Sequence, residues 1–423
     1  MNLTVNKINS LKGEITIPAD KSISHRSAMF SALTGGIVEI KNFSMGADCI
    51  STLEIIKNLG CEVEFISDKH IKINAKDSFK KDRYNLDCGN SGTSMRLFAG
   101  ILASREIESR LFGDESLSKR PMKRVIVPLE LMGAKFKHQD YKAPLIITGK
   151  ELYPIDYKTP IASAQVKSCI LLAGLNTYGE TKVTEPYVSR DHTERMLKYL
   201  GADINIDNNV TRIKKSKLEP QNLCVCGDIS SAAFFLVAAA IVPNSNIILK
   251  NVGLNPTRTG IIDIMKNMGA DITILNQKTE CNEAVGDIQI RTSDLKATTI
   301  EGEIIPRLID ELPVIAVLAS QAEGETIVKN AQDLRNKESD RIKCLVNELT
   351  KIGVEIEETL DGFIIQGKTE LKGASEVECY HDHRLAMSLY IAGLICEKPI
   401  QIREFQWVDI SFPEFLPLMN SLF

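Results

Sequence analysis

IIDIMKNMGADITIL, residues 261–275, reads as an amphipathic helix that stops at Gly269 and runs on as an alternating strand. A glycine just past the last apolar turn is the expected left-handed helix cap. The same signature occurs as LEIIKNLGCEVEF (53–65), PLELMGAKFKH (128–138), MLKYLGADINI (196–206) and VNELTKIGVEIEE (346–358). The five glycines, Gly60, Gly133, Gly201, Gly269 and Gly353, are spaced by 73, 68, 68 and 84 residues. EFLPLMNSLF (414–423) reads as a sixth such helix, cut off before its glycine. Six copies of about 70 residues make too large a unit for a solenoid of short repeats.

A second signature runs in step with the first. Each unit has a polar start followed by an apolar, Ala/Leu-rich helix: DKSISHRSAMFSAL (20–33), NSGTSMRLFAGIL (90–102), SAQVKSCILLAGL (163–175), DISSAAFFLVAAAI (228–241), DELPVIAVLAS (310–320) and HDHRLAMSLYIAGL (381–394). Asp20, Asn90, Ser163, Asp228 and Asp310 are cap-type residues at or near these starts. Apolarity on all sides predicts that the six helices are buried. Short strands such as IVEIKN, TKVTE, NIILKN and TIVKN separate the two helices of a unit. Each unit then reads strand, helix, strand, helix, with extra strands after the glycine. Three units around one core, done twice, predict two α/β domains. The boundary is expected at Gly227–Asp228, giving one domain of residues 20–227. Phasing the repeat on its buried helix leaves residues 1–19, with the strand ITIP, to complete a second domain with residues 228–423.

Composition narrows the function classes. The chain has 423 residues, long enough for two or three domains. With 25% charged and 43% hydrophobic residues it has the balance of a globular protein. Lys+Arg of 51 against Asp+Glu of 55 leaves a net charge of −4, so no global basic field points to nucleic acid. The longest apolar stretch, Ala232 to Val242, is 11 residues, too short to span a bilayer. The N-terminal MNLTVNKINS lacks the apolar core of a signal peptide. Ten cysteines without a CxxC pair predict free thiols in a reducing cytoplasm.

The polar helix starts suggest the chemistry. A helix N-terminus carries about +0.5 of a charge and free N–H groups, so several that converge bind anions. The residues there suit that role: Lys21, Ser22 and Arg26; Asn90, Ser91 and Gly92; Ser163 and Gln165; and Arg384. Ser22 and Arg26 share a helical face, and Gly92 allows close approach to backbone N–H groups. Further cations stand in loops, Lys119 and Arg120 in SKRPMK, Arg190 in VSRDHTE, and Lys337 and Arg341 in RNKESDRIK, the last two placed on one helix face. Each alone also fits a solvated charged surface. Asp310, just ahead of an apolar run, reads either as a helix cap or as a partly desolvated carboxyl with a raised pKa. Glu338, flanked by Lys337 and Arg341, is expected to stay ionised. His381 and His383 lack a third metal partner. Neither GxxxxGK[ST] nor a GxGxxG after a strand is present, which disfavours nucleotide-dependent kinases and dehydrogenases.

Eight motifs taken together, DKSISHR (20–26), GNSGTSMR (89–96), KRPM (119–122), SAQVKS (163–168), SRDHTE (189–194), the Asp310 segment, NKESDR (336–341) and HDHRLAM (381–387), resemble the 5-enolpyruvylshikimate-3-phosphate synthases. They stand in the family's order along the whole chain. The SAQVKS and SRDHTE forms resemble the glyphosate-tolerant bacterial class. One departure is Ile410, where many members carry a Lys before a TFP-like segment; that cation's role is not carried over. The resemblance implies a two-domain inside-out α/β barrel, the enolpyruvyl transferase fold. Each domain has three βαβαββ repeats with buried helices, and the active site lies in the interdomain cleft.

The resemblance also implies an activity: transfer of the enolpyruvyl group of phosphoenolpyruvate to the 5-hydroxyl of shikimate 3-phosphate, with release of phosphate. Both substrates are small anions, together bearing about five or six charges, which only a dense set of cations and helix starts can hold. For shikimate 3-phosphate it implies Lys21, Ser22, Arg26, Ser163, Ala164, Gln165, Arg190, Asp310 and Lys337. For phosphoenolpyruvate it implies Lys21, Gly92, Arg120, Gln165, Arg341 and Arg384. Asp310 is the implied base at the 5-hydroxyl, Glu338 the implied proton donor to the methylene carbon, and Lys21 assists phosphate departure. No cofactor and no metal are implied, and the enzyme is expected to be a cytoplasmic monomer without nucleic-acid or membrane partners. The related transferase acting on UDP-N-acetylglucosamine would need an Asn beside the first Lys and a Cys in its mobile loop. Here Ser22 follows Lys21, and Lys119–Met122 has no Cys. A non-catalytic anion scaffold would dispense with Asp310 and Glu338, and both are present.

Overall fold

The computed structural model describes residues 1–374 and 376–423. They form two compact units, one of Ala19–Val225 with Glu280–Glu283, the other of Met1–Pro18, Cys226–Thr279 and Ala284–Phe423. Each contains three buried helices. The first unit has α1 (Lys21–Thr34), α2 (Gly92–Ala103) and α3 (Ala164–Gly174). The second has α4 (Ile229–Ile241), α5 (Leu312–Ser320) and α6 (His383–Gly393). Nearly every residue of the six beyond the first turn is buried. The hydroxyls inside α1 are satisfied on its own backbone: Ser27 donates to the Ser24 carbonyl at 2.8 Å and Ser31 to that of Ser27 at 2.7 Å.

The helix starts differ in detail from the pattern in the sequence. Asp20 and Asp228 cap as expected, accepting from the Ile23 N–H at 2.8 Å and the Ser230 N–H at 2.9 Å. Asn90 does not cap α2; its neighbour Ser91 does, accepting from Ser94 N–H at 3.1 Å. Ser163 occupies the cap position of α3 without a cap bond from its hydroxyl. At α5 the cap position belongs to Glu311, so Asp310 lies one residue outside the helix. All five repeat glycines have positive φ, from 91° to 104°.

Outside the helices lie small sheets with one strand order. In Arg83–Asp87, Glu108–Phe112, Lys142–Thr148 and Lys135–Gln139, the first pair is parallel and the other two antiparallel. The pattern recurs in Asp156–Lys158, Glu180–Thr184, Val210–Lys214 and Ile204–Asp207, and again in Thr299–Ile300, Gly324–Val328, Phe363–Gly367 and Glu355–Glu358. Alternating buried residues, such as Ile71 with Ile73 and Leu145 with Ile147, turn one face of each sheet inward. Two sheets exchange their leading strand. Lys12–Thr16, just ahead of α1, pairs in parallel with Asn246–Gly253, while Leu223–Cys224, ahead of α4, pairs with Ile37–Lys41. The last sheet joins Leu3–Val5 to Ile400–Arg403 and Val377–Glu378.

Candidate active site

In the unit of Ala19–Val225, polar groups gather at the starts of α1, α2 and α3. Lys21 is ion-paired with Asp48. Burial alone would raise the Asp48 carboxyl, but Lys21, with His25 and Arg120, outweighs it and holds the group below the usual carboxylate range. Arg26 is buried and fully engaged: its Nε donates to Thr193 Oγ1 at 2.7 Å, one Nη to Ser168 Oγ at 3.1 Å, the other to the Ser22 carbonyl at 3.0 Å. It thereby fastens α1 to α3 and to the helix His192–Tyr199. Behind it, His25 Nδ1 bonds Thr52 Oγ1 at 2.6 Å, and Thr52 bonds Ser94 at 2.7 Å. Burial, with Lys21 and Arg26 adding to it against Asp48, lowers His25 to about 3.

Gly92 opens α2 beneath two guanidiniums. A Cβ added there would lie 2.8 Å from Arg96 Nη1 and 3.5 Å from Arg120 Nη1. Arg96 donates to Gln165 Oε1 at 2.6 Å, Gln165 to Thr93 Oγ1 at 3.2 Å, and Arg120 to Asn90 Oδ1 at 2.9 Å. Gly92, Arg120 and Gln165 are thus brought together, with Arg96 as the link. Arg96 closes the GNSGTSMR motif but was not among the expected ligands. Its position four residues after Gly92, on the same helical face, was the available signal. Ser163, Ala164 and Gln165 form the half-buried start of α3, and Arg190 is half-buried on the loop before His192. Beneath them lie buried Lys167, Glu185 and Glu194, which no spacing in the sequence announced.

In the other unit the centre is Arg341, 1% exposed. Its Nη2 donates to Glu338 Oε2 at 2.6 Å, its Nε to Asp382 Oδ2 at 2.7 Å, and its Nη1 lies 3.4 Å from Asp310 Oδ1. Lys337 Nζ is 3.3 Å from the same Asp310 oxygen. Arg384 donates to the Asp310 backbone carbonyl at 3.0 Å and stands 3.5 Å from Glu311 Oε1. Lys337 and Arg341 do not share a helix face: Lys337 precedes the helix Arg341–Lys351, which Asp340 caps, and the two cations meet at Asp310 instead. Asp310 is accordingly the partner of two cations, not an isolated carboxyl facing an apolar run. Burial works against charge on Glu338, but Arg341, His383 and Lys337 outweigh it and hold the carboxylate well below its usual range. Burial, with Arg384 and Arg341, outweighs Asp382 and Glu338 at His383 and lowers it to about 4. His381 is turned away, exposed and paired with Glu404 at 2.8 Å. Ile410 is half-buried at the end of the short helix Phe405–Ile410.

Each unit therefore presents cations at the starts of its buried helices, and the second adds ionised carboxylates among them. Such a set binds small polyanions and can move protons beside them. Among the described residues no three His, Cys, Asp or Glu side chains cluster to hold a metal ion, and no helix is long and apolar enough to cross a membrane. Among the described residues none of the ten cysteines is in a disulfide.

The chain is similar over its whole length to known proteins. The family model described as EPSP synthase (3-phosphoshikimate 1-carboxyvinyltransferase) matches residues 5–419. A 3-phosphoshikimate 1-carboxyvinyltransferase of Bacillus licheniformis is 51% identical over 421 residues, covering 98% of both chains. One from Thermoanaerobacter pseudethanolicus is 49% identical over 425 residues, covering 100% of both. Among solved structures, an EPSP synthase of Acinetobacter baumannii superposes with a TM-score of 0.90 at 42% identity, over 100% of this chain and 98% of that one. The enolpyruvyl transferase NikO of Streptomyces tendae, at 16% identity, shares the fold with a TM-score of 0.82, over 99% of this chain and 96% of that one. The two-fold set of three buried helices, the cation-rich helix starts and this similarity over the whole chain make it a member of the EPSP synthase (3-phosphoshikimate 1-carboxyvinyltransferase) family.

Proposed function

We propose that the chain transfers the enolpyruvyl group of phosphoenolpyruvate to the 5-hydroxyl of shikimate 3-phosphate, releasing phosphate. The observation that carries the reading is the Asp310–Lys337–Glu338–Arg341 cluster of cations and carboxylates in a member of this family. Lys21, Ser22, Arg26, Ser163, Ala164, Gln165, Arg190, Asp310 and Lys337 receive shikimate 3-phosphate. Lys21, Gly92, Arg120, Gln165, Arg341 and Arg384 receive phosphoenolpyruvate. The cations supply the electrostatic stabilisation, so the reading needs no cofactor. It is that of a cytoplasmic monomer.

Asp310, anionic between two cations, takes the proton of the 5-hydroxyl. Glu338 protonates the methylene carbon of phosphoenolpyruvate, the hydroxyl oxygen attacks the cationic carbon beside it, and a tetrahedral intermediate forms. Glu338 then takes a methyl proton back as the C–O bond to phosphate breaks, with Lys21 assisting. The bond from Arg341 favours the Glu338 anion in the structure. A substrate anion that occupies Arg341 weakens that bond, raises the carboxyl and lets it carry a proton. The test is phosphate release with both substrates. Release that requires both, with the 5-enolpyruvyl ether as second product, supports the reading. A folded protein that releases none, or that uses UDP-N-acetylglucosamine instead, overturns it.

A further inference from the structure

Three charged side chains lie inside the unit of Ala19–Val225 with no role in the site described above. Lys167 is 3% exposed, Glu185 2% and Glu194 0%. Lys167 Nζ is 2.8 Å from Glu185 Oε2 and 2.8 Å from Glu194 Oε1. Buried ion groups of this kind are often no more stabilising than apolar residues of the same volume. Stability alone therefore gives no reason for the trio, and its hydrogen bonds do.

One carboxylate gathers donors from two separate segments. Glu185 Oε1 accepts from the Ser163 N–H at 3.0 Å and from the Ser189 hydroxyl at 2.6 Å, and Oε2 accepts from the Ser189 N–H at 3.4 Å. Lys167 adds a bond to the Ser189 carbonyl at 3.3 Å. Ser163 begins the run that leads through Gln165, and Ser189 directly precedes Arg190. Glu185 is itself fixed, its N–H bonded to the Asn209 carbonyl at 2.9 Å.

We propose that Glu185, held by Lys167, is a positioning residue that clasps the Ser163–Gln165 turn to the Ser189–Arg190 loop in the arrangement that receives the phosphate of shikimate 3-phosphate. The proposal rests on the function proposed above, which puts both segments on that substrate. A phosphate contacted from two segments is bound well only if both are in place beforehand, since ordering a loop on binding costs affinity. Glu194 supplies the contrast: it pairs with the same lysine, but its oxygens accept no hydrogen bond from either segment.

The experiment titrates shikimate 3-phosphate calorimetrically into wild type, Glu185→Gln and Glu194→Gln, and measures the phosphoenolpyruvate KM of each at saturating shikimate 3-phosphate. Both substitutions remove one negative charge beside Lys167, so a purely structural role moves both variants together. We expect Glu185→Gln to weaken shikimate 3-phosphate about tenfold, the scale of a lost charge-assisted hydrogen bond, with Glu194→Gln within about twofold of wild type. The phosphoenolpyruvate KM should hold in Glu194→Gln and rise in Glu185→Gln by less than shikimate 3-phosphate binding falls, since only Gln165 of the clasped turn serves it. Amide exchange at Ser163 and Ser189 should quicken only in Glu185→Gln. Ser189→Ala keeps all three charges, serves if Glu185→Gln does not fold, and should weaken binding by about threefold. Equal weakening in the two glutamine variants, or Glu185→Gln or Ser189→Ala at wild-type affinity, overturns the clasp alone. A wild type that does not bind shikimate 3-phosphate overturns the function and the clasp together.

Discussion

Asp310 receives Lys337 and Arg341 on a single oxygen, at 3.3 and 3.4 Å. Replacing it by Asn keeps the size and removes the anion, so Asp310→Asn should lower turnover by about 10²–10⁴. Shikimate 3-phosphate binding should stay close to wild type; near-normal turnover in phosphate release would remove Asp310 from the chemistry. At Gly92 an added methyl meets the tip of Arg96 at 2.8 Å, and an Arg96 that gives way moves the guanidinium that donates to Gln165 at 2.6 Å. If glyphosate fills the phosphoenolpyruvate site, Gly92→Ala should weaken it by about 10–200-fold, the range for one methyl in a filled pocket. Phosphoenolpyruvate should lose less, and equal inhibition constants for variant and wild type would place Gly92 outside the site. Ser22 with Arg26 was legible because four residues make one helical face. Lys167, Glu185 and Glu194 were not, because they come from three segments with no common spacing.

The repeat glycines were readable in advance because a left-handed residue after an amphipathic helix has few other solutions. The same reasoning ranks them. Gly201 has φ +91° and a Cβ there would meet only Glu219 Cγ, at 3.5 Å; Gly60 has φ +102° and its Cβ would lie 2.5 Å from the Asp77 carbonyl oxygen. Gly201→Ala should cost about 1–2 kcal/mol, the left-handed penalty alone. Gly60→Ala should cost more, because a backbone oxygen cannot swing aside, and equal denaturant midpoints would refute the ranking. Caps were less legible. Asn90 and Ser91 are both cap-type residues, and the choice fell to Ser91 because Asn90 is engaged by Arg120 and Asp114. The partner of Leu223–Cys224 was equally hidden, since a two-residue strand has no pattern of its own.

Each unit holds a histidine in its neutral form, buried His25 at about 3 and half-buried His383 at about 4. An unfolded histidine titrates near 6.5, so below that pH the unfolded chain binds protons that the folded chain refuses. Stability should fall as pH drops through about 6.5 and go on falling to about 4 for His383 and about 3 for His25. At pH 5.5 each histidine should cost about 1.4 kcal/mol relative to neutral pH. Asp48 and Glu338, both held low, add nothing until the pH reaches the carboxylate range. Denaturant unfolding at pH 7.5 and 5.5 should show the loss, and His25→Gln should reduce it; stability that is flat or rising towards pH 5.5 would contradict it. If both cation clusters serve one substrate pair, the first anion bound should ease binding of the second. Glyphosate should then bind about 5–150-fold tighter with shikimate 3-phosphate present, and identical calorimetric affinities would separate the clusters.

The exchanged strands also set a timetable. Lys12–Thr16 is made early, yet its partner Asn246–Gly253 follows roughly 230 residues later. At about 5–20 residues per second, the ribosome keeps that edge waiting for some tens of seconds. Leu3–Val5 waits longer still, for Ile400–Arg403. The unit of Ala19–Val225 has its own leading strand by Cys224, so all but its four residues Glu280–Glu283 can fold while synthesis continues. The other unit closes only after most of the chain has left the ribosome, with Leu3–Val5 unpaired until then and open to capture by a chaperone or a neighbouring nascent chain.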